Sequence, residues 1–102
     1  MNLTPGSRWK SAVCSTEVVV LKPPSGAGTL ECGGSAMIAI GSTRPGDASP
    51  SADRSGGTLL GKRYANEARG LEVLCTKAGQ GSLSLDGKSL VFRATTPLPS
   101  SD

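Results

Sequence analysis

Three cysteines, Cys14, Cys32 and Cys75, are the strongest soft ligands and nucleophiles in this chain of 102 residues. There is no histidine. Ser–His and Cys–His nucleophile pairs are therefore excluded, as is every metal site that uses an imidazole. What thiols can do alone is hold a soft or borderline metal, join as a disulfide, or attack as a thiolate. An odd number of them argues against a closed disulfide framework. The opening residues Met1-Asn2-Leu3-Thr4-Pro5-Gly6 carry neither the basic leader nor the apolar run of a signal peptide. The expected setting is thus the reducing cytoplasm, where cysteines serve metals or chemistry more often than disulfides.

The other chemistry-bearing groups are sparse. Glu17, Glu31, Glu67, Glu72 and Asp86 are separated from one another, and no spacing pairs two of them for acid–base work. Catalysis is not expected, and an enzyme would have to act through a thiol. The glycine pairs Gly26-x-Gly28 and Gly79-x-Gly81 resemble phosphate loops only superficially. They follow strands, open no helix, and lead to no Gly-Lys-Ser/Thr, so hairpin turns account for them. The net charge is +3, from 11 basic and 8 acidic side chains. Lys62-Arg63 is the one adjacent basic pair, and aromatics are 3% of the chain. Clustered cations interleaved with stacking rings are therefore missing, and no nucleic-acid partner is expected. No stretch approaches the ~20 apolar residues of a membrane span, so no membrane partner is expected.

The elements that must position the thiols read as strands. Glu17–Lys22 is a β-branched run stopped by Pro23-Pro24. Thr29–Cys32 and Ala36–Ile40 are short runs divided by Gly33-Gly34. Leu59–Tyr64, Leu71–Lys77, Ser82–Leu85 and Ser89–Ala94 form a second set, with turns at Ala78–Gly81 and Asp86-Gly87. Between the sets, Gly41–Gly57 contains nothing apolar larger than alanine and reads as a flexible linker. The expected organisation is a first β repeat over 1–40, the linker over 41–57, a second β repeat over 58–96 and an exposed tail over 97–102.

The two sets also match in sequence. Gly6-x-Arg8-Trp9 corresponds to Gly61-x-Arg63-Tyr64, Glu17-Val18 to Glu72-Val73, and Lys22 to Lys77 at one constant offset. After a two-residue deletion, Gly26-x-Gly28-x-Leu30 corresponds to Gly79-x-Gly81-x-Leu83, and Gly34 to Gly87. The same alignment sets Cys14 against Arg69, Cys32 against Leu85 and Cys75 against Val20. Each set is too small to bury a core alone. The expected fold is all-β, with two similar short-stranded units packed as an intrachain pseudo-dimer. Trp9 and Tyr64, in equivalent places, are its expected packing anchors, and Cys75 is expected to be a buried strand residue.

The first repeat resembles desulforedoxin and the N-terminal domain of desulfoferrodoxin, small rubredoxin-like modules. The matching residues are Gly6, Trp9, Cys14, Val18-Val19-Val20, Gly28-Thr29-Leu30-x-Cys32-x-Gly34 and Met37. That family binds iron, replaceable by zinc, through a Cys-x-x-Cys pair and an adjacent Cys-Cys pair. Here those pairs are Ser11-x-x-Cys14 and Cys32-Gly33, so two of four thiolates are replaced. The resemblance implies that Cys14 and Cys32 lie together, and it leaves three readings of the pair open. It is a metal site for zinc or iron, completed by Ser11, Glu17, water or a second chain. It is a vestige, carrying no metal, of buried or disulfide-linked cysteines. Or it is a reactive thiol activated by Arg8, Lys10 or a backbone field. The functional expectation is a small non-catalytic module with a reduced thiolate site. The alternative is a metal-free interaction or accessory subunit of a larger enzyme complex. A protein partner or a homodimer fits either reading.

Overall fold

Aliphatic runs of three to seven residues, bounded by glycine, proline and serine, set the lengths of the strands. The computed structural model describes residues 1–44 and 49–93. In chain order the strands are β1 (Arg8–Lys10), β2 (Glu17–Lys22), β3 (Leu30–Cys32), β4 (Ser35–Ala36) and β5 (Ile38–Ala39), then β6 (Arg63–Asn66), β7 (Leu71–Lys77), β8 (Leu83–Leu85), β9 (Lys88–Ser89) and β10 (Val91–Arg93). The described residues contain no α-helix, only a 3-10 turn at Ala52–Arg54. The fold is all-β. The tail expected over 97–102 lies outside the described residues.

Two antiparallel sheets form, of six strands in the order β10-β6-β7-β2-β1-β5 and of four in the order β4-β3-β8-β9. When β1–β5 are matched in turn with β6–β10, each order reads the same from either edge. The pairings at the centre, β2 with β7 and β3 with β8, join the two strand sets, and their registers are reciprocal. Glu17 faces Lys77 while Lys22 faces Glu72. Leu30 faces Leu85 while Cys32 faces Leu83.

The period-two alternation of the strands decides what is buried. Val18 and Val20 of β2 and Leu71, Val73 and Cys75 of β7 turn inward, each at most 1% exposed. They share one apolar cluster with Leu30, Cys32, Leu83 and Leu85 of the smaller sheet. Trp9 pairs across β1–β2 with Val18, and Tyr64 across β6–β7 with Val73. Tyr64 belongs to the cluster and Trp9 packs against it. Each ring keeps its polar end satisfied, as buried amphipathic aromatics must. The Trp9 indole N–H donates to Ser7 Oγ at 3.0 Å, and the Tyr64 hydroxyl accepts the Leu59 N–H at 2.9 Å.

The hairpins β3–β4 and β8–β9 turn through Gly33-Gly34 and Asp86-Gly87, and all four residues have positive φ (66°, 87°, 50° and 83°). That is the backbone of a type I′ turn, which matches the strand twist and favours glycine or aspartate. Within the stretch expected to be a flexible linker, 41–57, residues 45–48 lie outside the described residues. Its second part is fastened to the small sheet rather than loose. Ser51 N–H donates to Gly33 O, Ser82 N–H to Arg54 O, and the Arg54 guanidinium to Ser89 Oγ and Gly87 O, at 2.6–2.9 Å. Serine, glycine and arginine lack apolar bulk, but their donors and acceptors can tie a segment down by hydrogen bonds alone.

Leu85 is 1% exposed and faces Leu30 across the junction of the two strand sets. Leu85→Ala should lower unfolding free energy by about 2–5 kcal/mol in urea melts. Leu60→Ala, at a residue 63% exposed, should stay within about 0.5 kcal/mol.

Candidate functional site

The corner between β1 and β2 is built by a serine. Ser11, fully buried, accepts the backbone N–H groups of Val13 and Cys14 on its hydroxyl oxygen, both at 3.0 Å. Its own N–H donates to Thr16 O at 2.8 Å. A short hydroxyl taking two successive amides bends the chain tightly, as in serine and threonine turns. The bend aims the Cys14 side chain into the molecule, toward Cys32 at the end of β3. The sulfurs lie 3.7 Å apart, and both cysteines are free thiols. Thr16 Oγ1 stands 3.2 Å from Cys14 Sγ, and the Gly81 N–H donates to the same sulfur at 3.4 Å.

A roof over the pair comes from the other strand set, in the loop Gly79-Gln80-Gly81. Glycine is required here by space. A Cβ at Gly79 would overlap Thr16 Oγ1 and stand 3.0 Å from Cys14 Sγ, and one at Gly81 would stand 2.8 Å from Cys32 Sγ. Thr58, itself buried, holds the loop by a hydroxyl bond to Gly81 O at 2.6 Å and by two backbone bonds with Gly79.

Ionisation divides the two thiols. Burial alone would raise the Cys14 thiol. Hydrogen bonds from the Ser11 and Thr16 hydroxyls and from the Thr16 and Gly81 amides outweigh it and bring the group down to about 7. Burial, and then repulsion from the Cys14 charge, push Cys32 up to about 12. Of the two thiols Cys14 is therefore the one that ionises first as the pH rises, while Cys32 keeps its proton.

The donor set at this corner is two sulfurs and two hydroxyl oxygens. Two thiolates held about 2.3 Å from a tetrahedral ion stand about 3.8 Å apart, so the observed sulfur spacing suits a metal without rearrangement. Among the described residues, no three His, Cys, Asp or Glu side chains gather into a metal-holding group. Glu17, expected as a supporting ligand, therefore does not join the thiols. It sits on β2 opposite Lys10 and Lys77, where strand alternation turns it away from the buried face. Ser11, the other expected supporting ligand, is at the site. Cys75 stands apart, and its S–H donates to Lys77 O at 3.2 Å.

The equivalent corner of the second strand set is closed by charge. Asn66 Oδ1 accepts the Arg69 N–H at 3.0 Å, just as Ser11 takes that of Cys14. The Arg69 guanidinium then reaches Asp86 Oδ2 at 2.9 Å, Ser25 O at 3.0 Å, and Ala27 O. Asp86 also accepts the Thr29 N–H at 2.9 Å. That amide and Arg69 hold its carboxyl below the usual range. An arginine–carboxylate bridge thus lies at this corner, with Arg69 in the place of Cys14 and Asp86 one residue beyond that of Cys32. Sequence reasoning missed Thr16, Thr58 and this bridge. The alignment of Arg69 with Cys14 and of Asp86 with Gly33 was the signal for the bridge. Thr16 and Thr58 carry no motif, and only the fold brings them to the sulfurs.

No family model, curated protein or solved structure matches this chain.

In reduced, metal-free protein, thiolate absorbance should rise with a midpoint near pH 7, a step that Cys14→Ser removes and Thr16→Val moves upward. Folding stability follows the same group. An unfolded cysteine ionises near pH ~8.5, so Cys14 adds stability between about pH 7 and that value as the pH rises. Above it Cys32, still protonated when folded, takes stability away. Urea melts across this range should show that maximum. Gly79→Ala should destabilise by about 1–3 kcal/mol through overpacking. Gly41→Ala, with open space around its Cβ, serves as the neutral control in the same melts.

Proposed function

We propose that this chain is a small, non-catalytic β module whose Cys14–Cys32 pair binds a soft or borderline metal ion, zinc and iron among them. The single observation that carries this reading is the 3.7 Å sulfur separation at a buried corner. It coincides with the spacing of two thiolates on one tetrahedral ion. Metal binding needs deprotonated sulfur, and the lowered Cys14 thiol supplies one thiolate near neutral pH without a histidine or a lysine. Ser11 and Thr16 would turn hydroxyl oxygens toward the same ion or toward a water on it. The resemblance of the first repeat to desulforedoxin supports the reading, and the loss of two of that family's four thiolates makes this a reduced version of the site. What the ion supplies in this reading is structural, a tie between the β1–β2 corner and the end of β3.

Anaerobically purified protein should carry zinc or iron in a fixed ratio to the chain, and Cys14→Ala should remove it. Less than about 0.2 equivalents of metal per chain, unchanged by Cys14→Ala, would sink the proposal, because thiolate sites hold such ions tightly.

A further inference from the structure

We propose that the outer face of the six-stranded sheet is a docking surface for an acidic, extended segment of a partner protein, with carboxylates at positions i and i+4 and an apolar residue at i+2. This surface depends on sheet register and owes nothing to the metal reading above. Val18 and Val73 turn into the core, so Val19 and Leu74 turn outward, where both are half-buried. The registers of four successive strands then set one row across the sheet. Arg8 of β1 faces Val19 of β2, Val19 faces Leu74 of β7, and Leu74 faces Arg63 of β6. The row is an apolar pair with a guanidinium on either side.

Spacing selects the ligand. Neighbouring strands lie about 4.8 Å apart, so Arg8 and Arg63, three spacings from each other, stand about 14 Å apart along the row. An extended chain advances about 3.4 Å per residue and turns alternate side chains to one face. Its residues i and i+4 therefore also stand about 14 Å apart on a common face. The residue at i+2, midway between them, falls over Val19 and Leu74. Because Arg8 corresponds to Arg63 and Val19 to Leu74 in the two strand sets, the row reads the same from either end, and the segment fits in either direction.

Charge gives the partner its sign. Among the described residues Arg8 is exposed and enters none of the ion pairs. Arg63 gives one N–H to Glu72 at 3.2 Å, out of the several that a guanidinium carries. Both can take a carboxylate in a forked pair. In the next row Lys10 and Lys77 flank Glu17, so cations outnumber carboxylates there as well. A uniform polyanion is a poorer fit. Glu17 and Glu72 stand among the cations and repel a phosphate backbone or an anionic bilayer. The aromatic rings belong to the opposite face, since Trp9 pairs with Val18, Tyr64 with Val73 and Phe92 with Tyr64. Bases would find no ring to stack on here.

The test is a titration of the chain against a fluorescent synthetic peptide containing Glu-Ser-Leu-Ser-Glu, followed by anisotropy at low salt. Saturable binding of one peptide per chain, weakening as salt rises, is expected. Arg8→Ala and Arg63→Ala should each weaken it by about 2–5-fold, the scale of an exposed ion pair, and Arg8→Glu by more. Lys88→Glu makes the same change of net charge on β9 of the smaller sheet and should leave binding unchanged. Equal binding of a peptide with the same residues reordered as Glu-Glu-Ser-Leu-Ser, or an equal loss in Lys88→Glu, would mean that net charge alone acts and would overturn the proposal. Stronger binding to oligothymidylate or to anionic phospholipid vesicles overturns it as well, as does a dimer of the chain that shuts the peptide out of this face. So does the absence of saturable binding. Should the Arg8 variants fail to fold, judged by circular dichroism, the two peptides compared on the unaltered chain still decide. Cys14→Ala should bind the peptide as the unaltered chain does, so failure of the metal reading leaves this surface standing.

Discussion

Everything in this molecule depends on the antiparallel contact at its centre, where Val18 and Val20 of β2 lie beside Val73 and Cys75 of β7. Neither strand set has enough apolar area to close a core alone. Joined there, and again through Leu30 and Leu85 between β3 and β8, they share one core between two sheets. Opposite charges face each other at both ends of the central contact, Glu17 with Lys77 and Lys22 with Glu72, and the second pair closes to 4.0 Å. A slip of one residue would turn every buried valine to solvent.

Because the central contact is reciprocal, the molecule has two equivalent corners, and it has solved them differently. In each, a short polar side chain (Ser11 or Asn66) receives a backbone amide and bends the chain. In each, a glycine loop of the other strand set lies over the bend. Where the first corner places two sulfurs, the second places Arg69 and Asp86. The ion pair is partly exposed and its carboxylate also takes an amide, so it closes its corner without any further partner. The thiol pair is buried, and one of its sulfurs ionises more readily than the other. That asymmetry is why functional interest falls on one corner although the strands are matched.

Much of the architecture was legible in the residues. The runs Glu17–Lys22, Leu71–Lys77 and Ser82–Leu85, the Gly33-Gly34 and Asp86-Gly87 turns, and the matching places of Trp9 and Tyr64 follow from local propensities and from matching positions, whereas the strand expected over Leu59–Tyr64 forms instead at Arg63–Asn66. The joint was harder. Gly41–Gly57 reads as flexible because nothing apolar in it is larger than alanine, yet Ser51, Arg54 and Gly56 are held by hydrogen bonds to groups more than fifteen residues away. Composition reports apolar driving force, and a segment fastened by polar bonds leaves no trace in it. Glu17 failed as a candidate ligand for a related reason. Its nearness to Cys14 in sequence says nothing about which face of β2 it occupies.

The residue order alone determined that this is a chain of short strands in two corresponding sets, lacking histidine and left with cysteine as its one reactive chemistry. Alternation and turn-forming residues are local properties, and local properties survive in one dimension. Only the folded arrangement decided that Cys14 and Cys32 meet at 3.7 Å, that Thr16 and Gly81 act on one sulfur more than the other, and that Cys75 stands aside. Those outcomes depend on distances across the junction of the strand sets, between residues up to 67 positions apart in the chain. Electrostatic and coordination chemistry respond to separation in space, which no run of neighbouring residues encodes.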